Sequence, residues 1–179
     1  MISRVTPPPA TLDGGRPGNP TGMSRAREAL PGQSGFLLTW NPRYRPSYVW
    51  VDDAARASAR GQRPGRADWG SGGRKHGYRR GDRVFLLRQG AEPRGIVGCG
   101  VIPDDGGTWM GEHWNGSGRL KRYVAVDWEF VVDPDDPLPL DLLVAQASRT
   151  TWTPQGSGTR IADADLPVVE RLWAEHLAE

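Results

Sequence analysis

Residues 81–102 read GDRVFLLRQGAEPRGIVGCGVI. Gly81-Asp82 is a tight-turn pair, and Val84 to Arg88 is an apolar run of strand length. Gly90 to Arg94 supply a turn, and Gly95 to Ile102 form a second apolar run. Two such runs joined by a short Gly- and Pro-containing loop predict neighbouring strands. Gly95, Gly98 and Gly100 weaken the second strand locally. They suit a barrel strand that bends sharply, or a backbone that another group approaches closely.

Downstream, Pro103 to Lys121 read as a loop holding Trp109 and Trp114. Tyr123 to Val132 alternates cleanly, with Val124, Val126, Trp128, Phe130 and Val132 on one face, and predicts the longest strand. Asp133-Pro134-Asp135-Asp136-Pro137 closes it. Leu138 to Ala147 predicts a short helix, and Trp152 to Thr159 an extended, turn-rich segment. Asp163 or Asp165 can cap a last helix with Leu166, Val169, Leu172, Trp173 and Leu177 on one face.

Upstream, Gln62 to Arg80 read as a Gly- and Arg-rich loop carrying Trp69. Pro46 opens a helix through Trp50, Val51, Ala54, Ala55 and Ala57, with Gly61 after it. Phe36 to Trp40 is a buried-strand pattern ended by Asn41-Pro42. Residues 1–34 are rich in Pro and Gly and poor in large apolar side chains, so a disordered tail is expected there, with one domain over 35–179. Met23 is a second candidate start. Short strands with Gly-rich turns and scattered helices predict an α+β fold, a small mixed β-barrel with peripheral helices.

Composition excludes several classes. No apolar run approaches membrane-spanning length, and the N-terminus has no secretory pattern, so no membrane association is expected. Cys99 is the lone cysteine, so no intramolecular disulfide can form, and a cytoplasmic location is expected. His76, His113 and His176 do not fall at metal-binding spacing, and no metal or cofactor is expected. Gly70 to Lys75 lacks the full spacing of a nucleotide phosphate loop, and no nucleophile has an evident base. A non-catalytic protein is therefore expected; an enzyme is the third reading.

Charge is uneven. Between Arg43 and Arg83 stand eleven basic and four acidic residues, while Val84 to the C-terminus holds eight basic and fifteen acidic. A basic segment beside an acidic remainder suits a polyanionic partner, with Arg43, Arg74, Lys75, Arg79 and Arg80 as candidate phosphate contacts. The bland alternative is a solvated Arg-rich loop.

Tryptophan is the informative residue: there are eight. Trp50, Trp128 and Trp173 fall in periodic elements and read as core. Trp40, Trp69, Trp109, Trp114 and Trp152 fall at strand ends or in loops, where an exposed indole is a costly apolar surface. Either each tucks under its own loop, or several share a pocket.

Five blocks in order are similar to those of EVE domains. They are Phe36 to Pro42 (FLLTWNP), Trp69 to Gly72 (WGSG), Gly81 to Gly90 (GDRVFLLRQG), Pro93 to Gly100 (PRGIVGCG) and Trp152 to Ile161 (WTPQGSGTRI). The match is best to the bacterial branch associated with modification-dependent restriction, and it covers Gly35 to about Trp173. The resemblance implies a PUA-like barrel, akin to YTH and SRA readers, that extrudes a modified base such as 5-methylcytosine from DNA, or accepts one from a single strand, and holds it in an aromatic cage. By order along the chain it places Trp69 and Trp114 in that cage, with Trp109 a second choice and Trp40-Asn41 lining the mouth. Asn41, Thr39 and Gln155 are candidates for the base edge. Trp152, Gln155 and Ser157 either close the far side or, for Trp152 more readily, anchor the last loop. The implied partner is DNA with modified bases, with a separate nuclease as a candidate partner, since no HNH motif is present. The alternative is a PUA-like RNA-binding protein without a modified-DNA preference.

Overall fold

The computed structural model describes residues 32–43, 47–113 and 117–179. Residues 1–31 of the expected tail lie outside the described residues. Its last two residues are tied to the turn before the third strand. Gln33 Nε2 donates to the Gly81 carbonyl. Ser34 N donates to Asp82 Oδ1 at 3.0 Å, and the Ser34 carbonyl accepts from Arg83 N at 2.8 Å.

In chain order the elements are β1 (Gly35–Trp40), α1 (Ser47–Ala59), β2 (Gly65–Gly70), β3 (Arg83–Arg88), β4 (Gly95–Val101), β5 (Thr108–Glu112), β6 (Leu120–Val131), β7 (Leu138–Pro139), α2 (Leu140–Gln146), β8 (Thr159–Ile161) and α3 (Leu166–His176). The main path of the sheet is β2-β6-β4-β3-β1-β8, with β5 on β6 and β7 on β4. β1 and β3 pair in parallel, Phe36 against Val84, and the chain between them supplies the crossover that a parallel pair requires. The remaining ladders are antiparallel.

The α+β class holds, but the expected barrel does not close. The eight strands form an open sheet, with β2 at one end of its path and β8 at the other. Two of these strands were expected to be loops. β2 (GRADWG) and β5 (TWMGE) are short and largely exposed, so neither carries the apolar alternation that marks a half-buried strand.

The central strands are apolar on both sides because both sides are covered. β1 sends Phe36, Leu38 and Trp40 to one face, where they meet Val51 and Ala54 of α1 and Val124, Val126 and Trp128 of β6. Leu37 points the other way, with Phe85, Leu87, Ile96 and Cys99, against Leu143 of α2 and Val169, Leu172 and Trp173 of α3. The glycines of β4 mark close approach. The β4–β6 register shifts between Cys99 and Gly100, and a Cβ on Gly100 would run into the Asp127 carbonyl. At α3, Asp165 sits at the N-cap position without capping, because its carboxylate accepts from Thr150 Oγ1 at 2.8 Å. Asp163 pairs with Arg160.

Arg83 departs most from its expected role in a solvated basic segment. It is 2% exposed. Its Nε donates to Glu170 of α3 at 2.5 Å, and one terminal nitrogen donates to Glu129 of β6 at 2.7 Å and to the Gly100 carbonyl at 3.2 Å. A buried guanidinium must be paired in this way to remain charged.

Candidate nucleic-acid interface

The open sheet leaves a seam between the far end of β2 and β1, and a side chain spans it. Trp69 is the fifth residue of β2, opposite Val124 of β6, so its indole points to the α1 face. There Trp69 Nε1 donates to the Thr39 carbonyl of β1 at 3.1 Å. The ring packs against two other indoles, with centroids 5.4 Å from Trp50 and 5.8 Å from Trp128, and those two are 5.3 Å apart. All three pairs are tilted or edge-on, the arrangement aromatic quadrupoles prefer. Trp50 and Trp128 were expected to be core, and Trp128 is buried. That they form one cluster with Trp69 follows from the β2–β6 register, which the sequence did not reveal.

Thr39 is held from the other side as well. Ser157 Oγ accepts from Thr39 N at 2.9 Å and lies 3.2 Å from Thr39 Oγ1. Residues 71–78 fold over this point. Ser71, buried, continues the ladder to the Arg122 carbonyl, and Gly72 turns with φ +62°, where a Cβ would collide with the Ser157 carbonyl so that no side chain fits. Thr39, Trp69 and Ser157 therefore meet at one place.

The remaining expected base contacts are dispersed. Trp40 is 2% exposed within the α1-side core, with the Arg88 guanidinium 5.9 Å from its ring centroid, so it supports the seam from beneath. Asn41 is half-buried against Gly90, and its Oδ1 accepts from Arg43 N at 3.0 Å. Trp152 is buried on the other face, donating to the Ala147 carbonyl at 2.7 Å, and so anchors its loop. Gln155 is exposed. Trp109 is 40% exposed on β5 and stacks on Tyr123 at 6.4 Å. It pairs with Tyr123 while Trp69 pairs with Val124, so Trp109 and Trp69 occupy opposite faces of the sheet. Trp114 lies outside the described residues.

The expected phosphate contacts also divide. Arg74 and Lys75 line an open cleft of about 420 Å³ with Gly73, His76, Ser157, Gly158 and Thr159. Arg80 lines a different hollow with Arg66, Asp104, Asp105 and Asp127, where the carboxylates outnumber the cations. Arg66 is paired there with Asp127 at 2.9 Å and Asp104 at 3.2 Å. Arg79 is exposed near the Asp82 turn, its backbone N donating to Asp82 Oδ2 at 2.7 Å, and Arg43 is exposed beside Asn41. A cation not expected at the site is Lys121 on β6. Its stem crosses Gly70, and burial lowers its pKa from the ordinary lysine value. Burial likewise pushes the Tyr78 phenol up to about 12.

Among the described residues no group of three or more His, Cys, Asp or Glu side chains is placed to hold a metal ion. No helix among them is long and apolar enough to cross a membrane.

The class that emerges is an α+β domain built on an open mixed sheet, with an indole-bridged seam beside a basic cleft. No family model and no curated protein matches the chain. Solved structures align with the chain, one of them with a TM-score above 0.5. A hypothetical protein from Leishmania major aligns with a TM-score of 0.54 at 14% identity, over 83% of this chain and 99% of its own. A Pseudomonas syringae protein aligns with a TM-score of 0.48 at 16% identity, over 77% and 98% of the two chains. Human THYN1, in a structure with DNA containing 5-methylcytosine, aligns with a TM-score of 0.47 at 13% identity, over 78% and 97%.

Proposed function

We propose that this chain is a nucleic-acid-binding reader, without catalysis of its own, that holds a flipped modified DNA base at the seam between β1 and β2. The base is 5-methylcytosine or another modified base. Support comes first from the five ordered EVE-like blocks, two of which supply the seam residues Trp69 and Thr39. The carrying observation is the seam itself. An indole is fixed by a main-chain bond to Thr39 and backed by two further indoles, and the Ser157 hydroxyl holds the same Thr39 through its N–H and lies beside the Thr39 hydroxyl. A neutral base edge needs neutral donors and acceptors, and these hydroxyls with the Asn41 amide provide them. Flipping costs a few kcal/mol, and stacking returns roughly 1–3 kcal/mol per base. In this reading Trp40 supports the stack from below, and Trp109, on the opposite face, takes no part. A nuclease acting on the marked DNA is a fitting partner for a reader without one.

The test is affinity for matched modified and unmodified DNA, and for RNA of the same sequence, in wild type and in Trp69→Phe and Trp69→Ala variants whose folding is verified. The reading expects a preference for modified DNA that Trp69→Ala abolishes while general binding persists. Equal affinity for modified and plain DNA, with tighter binding of RNA, would instead make the chain an RNA-binding module.

A further inference from the structure

The cleft between residues 73–76 and the start of β8 differs in composition from the hollow that Arg66 and Arg80 share with three aspartates. Among the described residues its lining includes Arg74, Lys75, His76, Ser157 and Thr159, and no carboxylate. Arg74 is positioned rather than free to swing. Its Nε donates to the Gly158 carbonyl at 2.5 Å, and its guanidinium carbon stands 4.9 Å from the Phe36 ring centroid and 5.8 Å from that of Tyr78. With one nitrogen spent on a carbonyl and the plane held near two rings, the terminal nitrogens keep their donors. Arg74 and Lys75 form no ion pair among the described residues, a state they share with Arg79 and Arg80, so their charges are not neutralised by a carboxylate within the cleft. The Tyr78 hydroxyl, buried and without a hydrogen-bond partner among the described residues, ends against Gly158, a residue that lines the cleft.

We infer that this cleft is a phosphate-binding subsite, filled by a phosphate of the same strand whose base occupies the seam. A preorganised guanidinium, a mobile ammonium and hydroxyl donors are what a tetrahedral anion accepts from. The placement follows from Ser157, which lines the cleft and whose hydroxyl bonds Thr39 at the seam. The adjacency of cleft and seam rests on the reader proposal; the anion site does not. The phosphate could be an internal phosphodiester or a terminal phosphomonoester, and the experiment separates them.

In the full chain, amide resonances are followed while inorganic phosphate is added. Shifts confined to 73–76 and 157–159, absent in Arg74→Gln/Lys75→Ala, are expected. In parallel, an oligonucleotide series carries a neutral methylphosphonate at each position in turn, with and without a 5′-phosphate. One internal position should cost about tenfold in affinity, and the double variant should erase that cost while keeping any base preference. A cost that appears only when the 5′-phosphate is removed assigns the cleft to strand ends. No phosphate-induced shift, or a methylphosphonate penalty that persists in the double variant, overturns the subsite. Loss of base preference alongside an intact phosphate response sinks the reader proposal and leaves the subsite standing.

Discussion

The two faces of the sheet are built to different standards. On the α2–α3 face the buried polar atoms find partners. Arg83 is paired twice, Trp173 Nε1 donates to Cys99 Sγ at 3.1 Å, and Trp152 Nε1 reaches a carbonyl. On the α1 face, Trp128 Nε1 and the Tyr78 hydroxyl are buried without a hydrogen-bond partner among the described residues, and an indole rather than a ladder bridges β1 and β2. Unpaired buried donors are costly, and they are kept where something else is served. The α2–α3 face is the better satisfied of the two, and the proposed reader site lies on the other, beside the open seam.

This contrast is broken most forcefully from the α2–α3 side. Glu170→Ala removes the carboxylate closest to buried Arg83 and should cost about 3 kcal/mol of unfolding free energy, read by urea denaturation. A loss below about 1 kcal/mol would mean that Glu129 alone satisfies the guanidinium, and the triad would be redundant.

Alkaline titration probes the same face more gently. Burial pushes the Cys99 thiol from its ordinary 9.0 up to about 11. The unfolded chain ionises first, so this contribution is fully present below about pH 9 and is lost as the pH rises towards 11. The thiol contributes a stability decline on the order of 2 kcal/mol over that window, and Cys99→Ala should shrink the total decline by that amount, leaving the part above about pH 10 that buried Tyr78 supplies. A decline unchanged in Cys99→Ala would move its origin to another group, with Tyr78 the first candidate.

On the seam side, Ser157→Ala strips the acceptor from Thr39 N and should cost about 1 kcal/mol. Its signature is local: hydrogen exchange at Thr39 should quicken while the amides of β3 and β4 stay protected. Uniform quickening would make the seam part of the global unit.

The smallest effect separates the two clefts. Lys75→Ala should reduce the slope of log affinity against log salt by roughly one, and Arg80→Ala, facing carboxylates, should leave it unchanged. Equal reductions would unite the clefts into one binding surface.

What could be read in the sequence follows this division. β3, β4, β6 and α3 announce themselves because each buries apolar side chains at its own period. β2 and β5 do not, since edge strands owe their form to a neighbour supplied from elsewhere in the chain. Trp69 was marked as a binding residue but assigned to a loop; its strand register is what brings it to Thr39 rather than to Trp109. Arg74 and Arg80 look alike in a basic run, yet the turn between them sends one to hydroxyls and the other to carboxylates. Trp152 shows the limit of counting indoles: its burial depends on Ala147, five positions earlier, which no spacing rule flags.

The position of β1 has a consequence for synthesis on the ribosome. This strand leaves the exit tunnel before either of its partners, since residue 35 pairs with residue 83 on one side and residue 161 on the other. Its second edge stays bare until residue 161 has been translated. A nascent chain must therefore carry an apolar, uncapped strand while more than a hundred further residues are added, in a state open to wrong partners. Chains stopped before β8 should be captured by the cell's quality-control machinery, where complete chains escape.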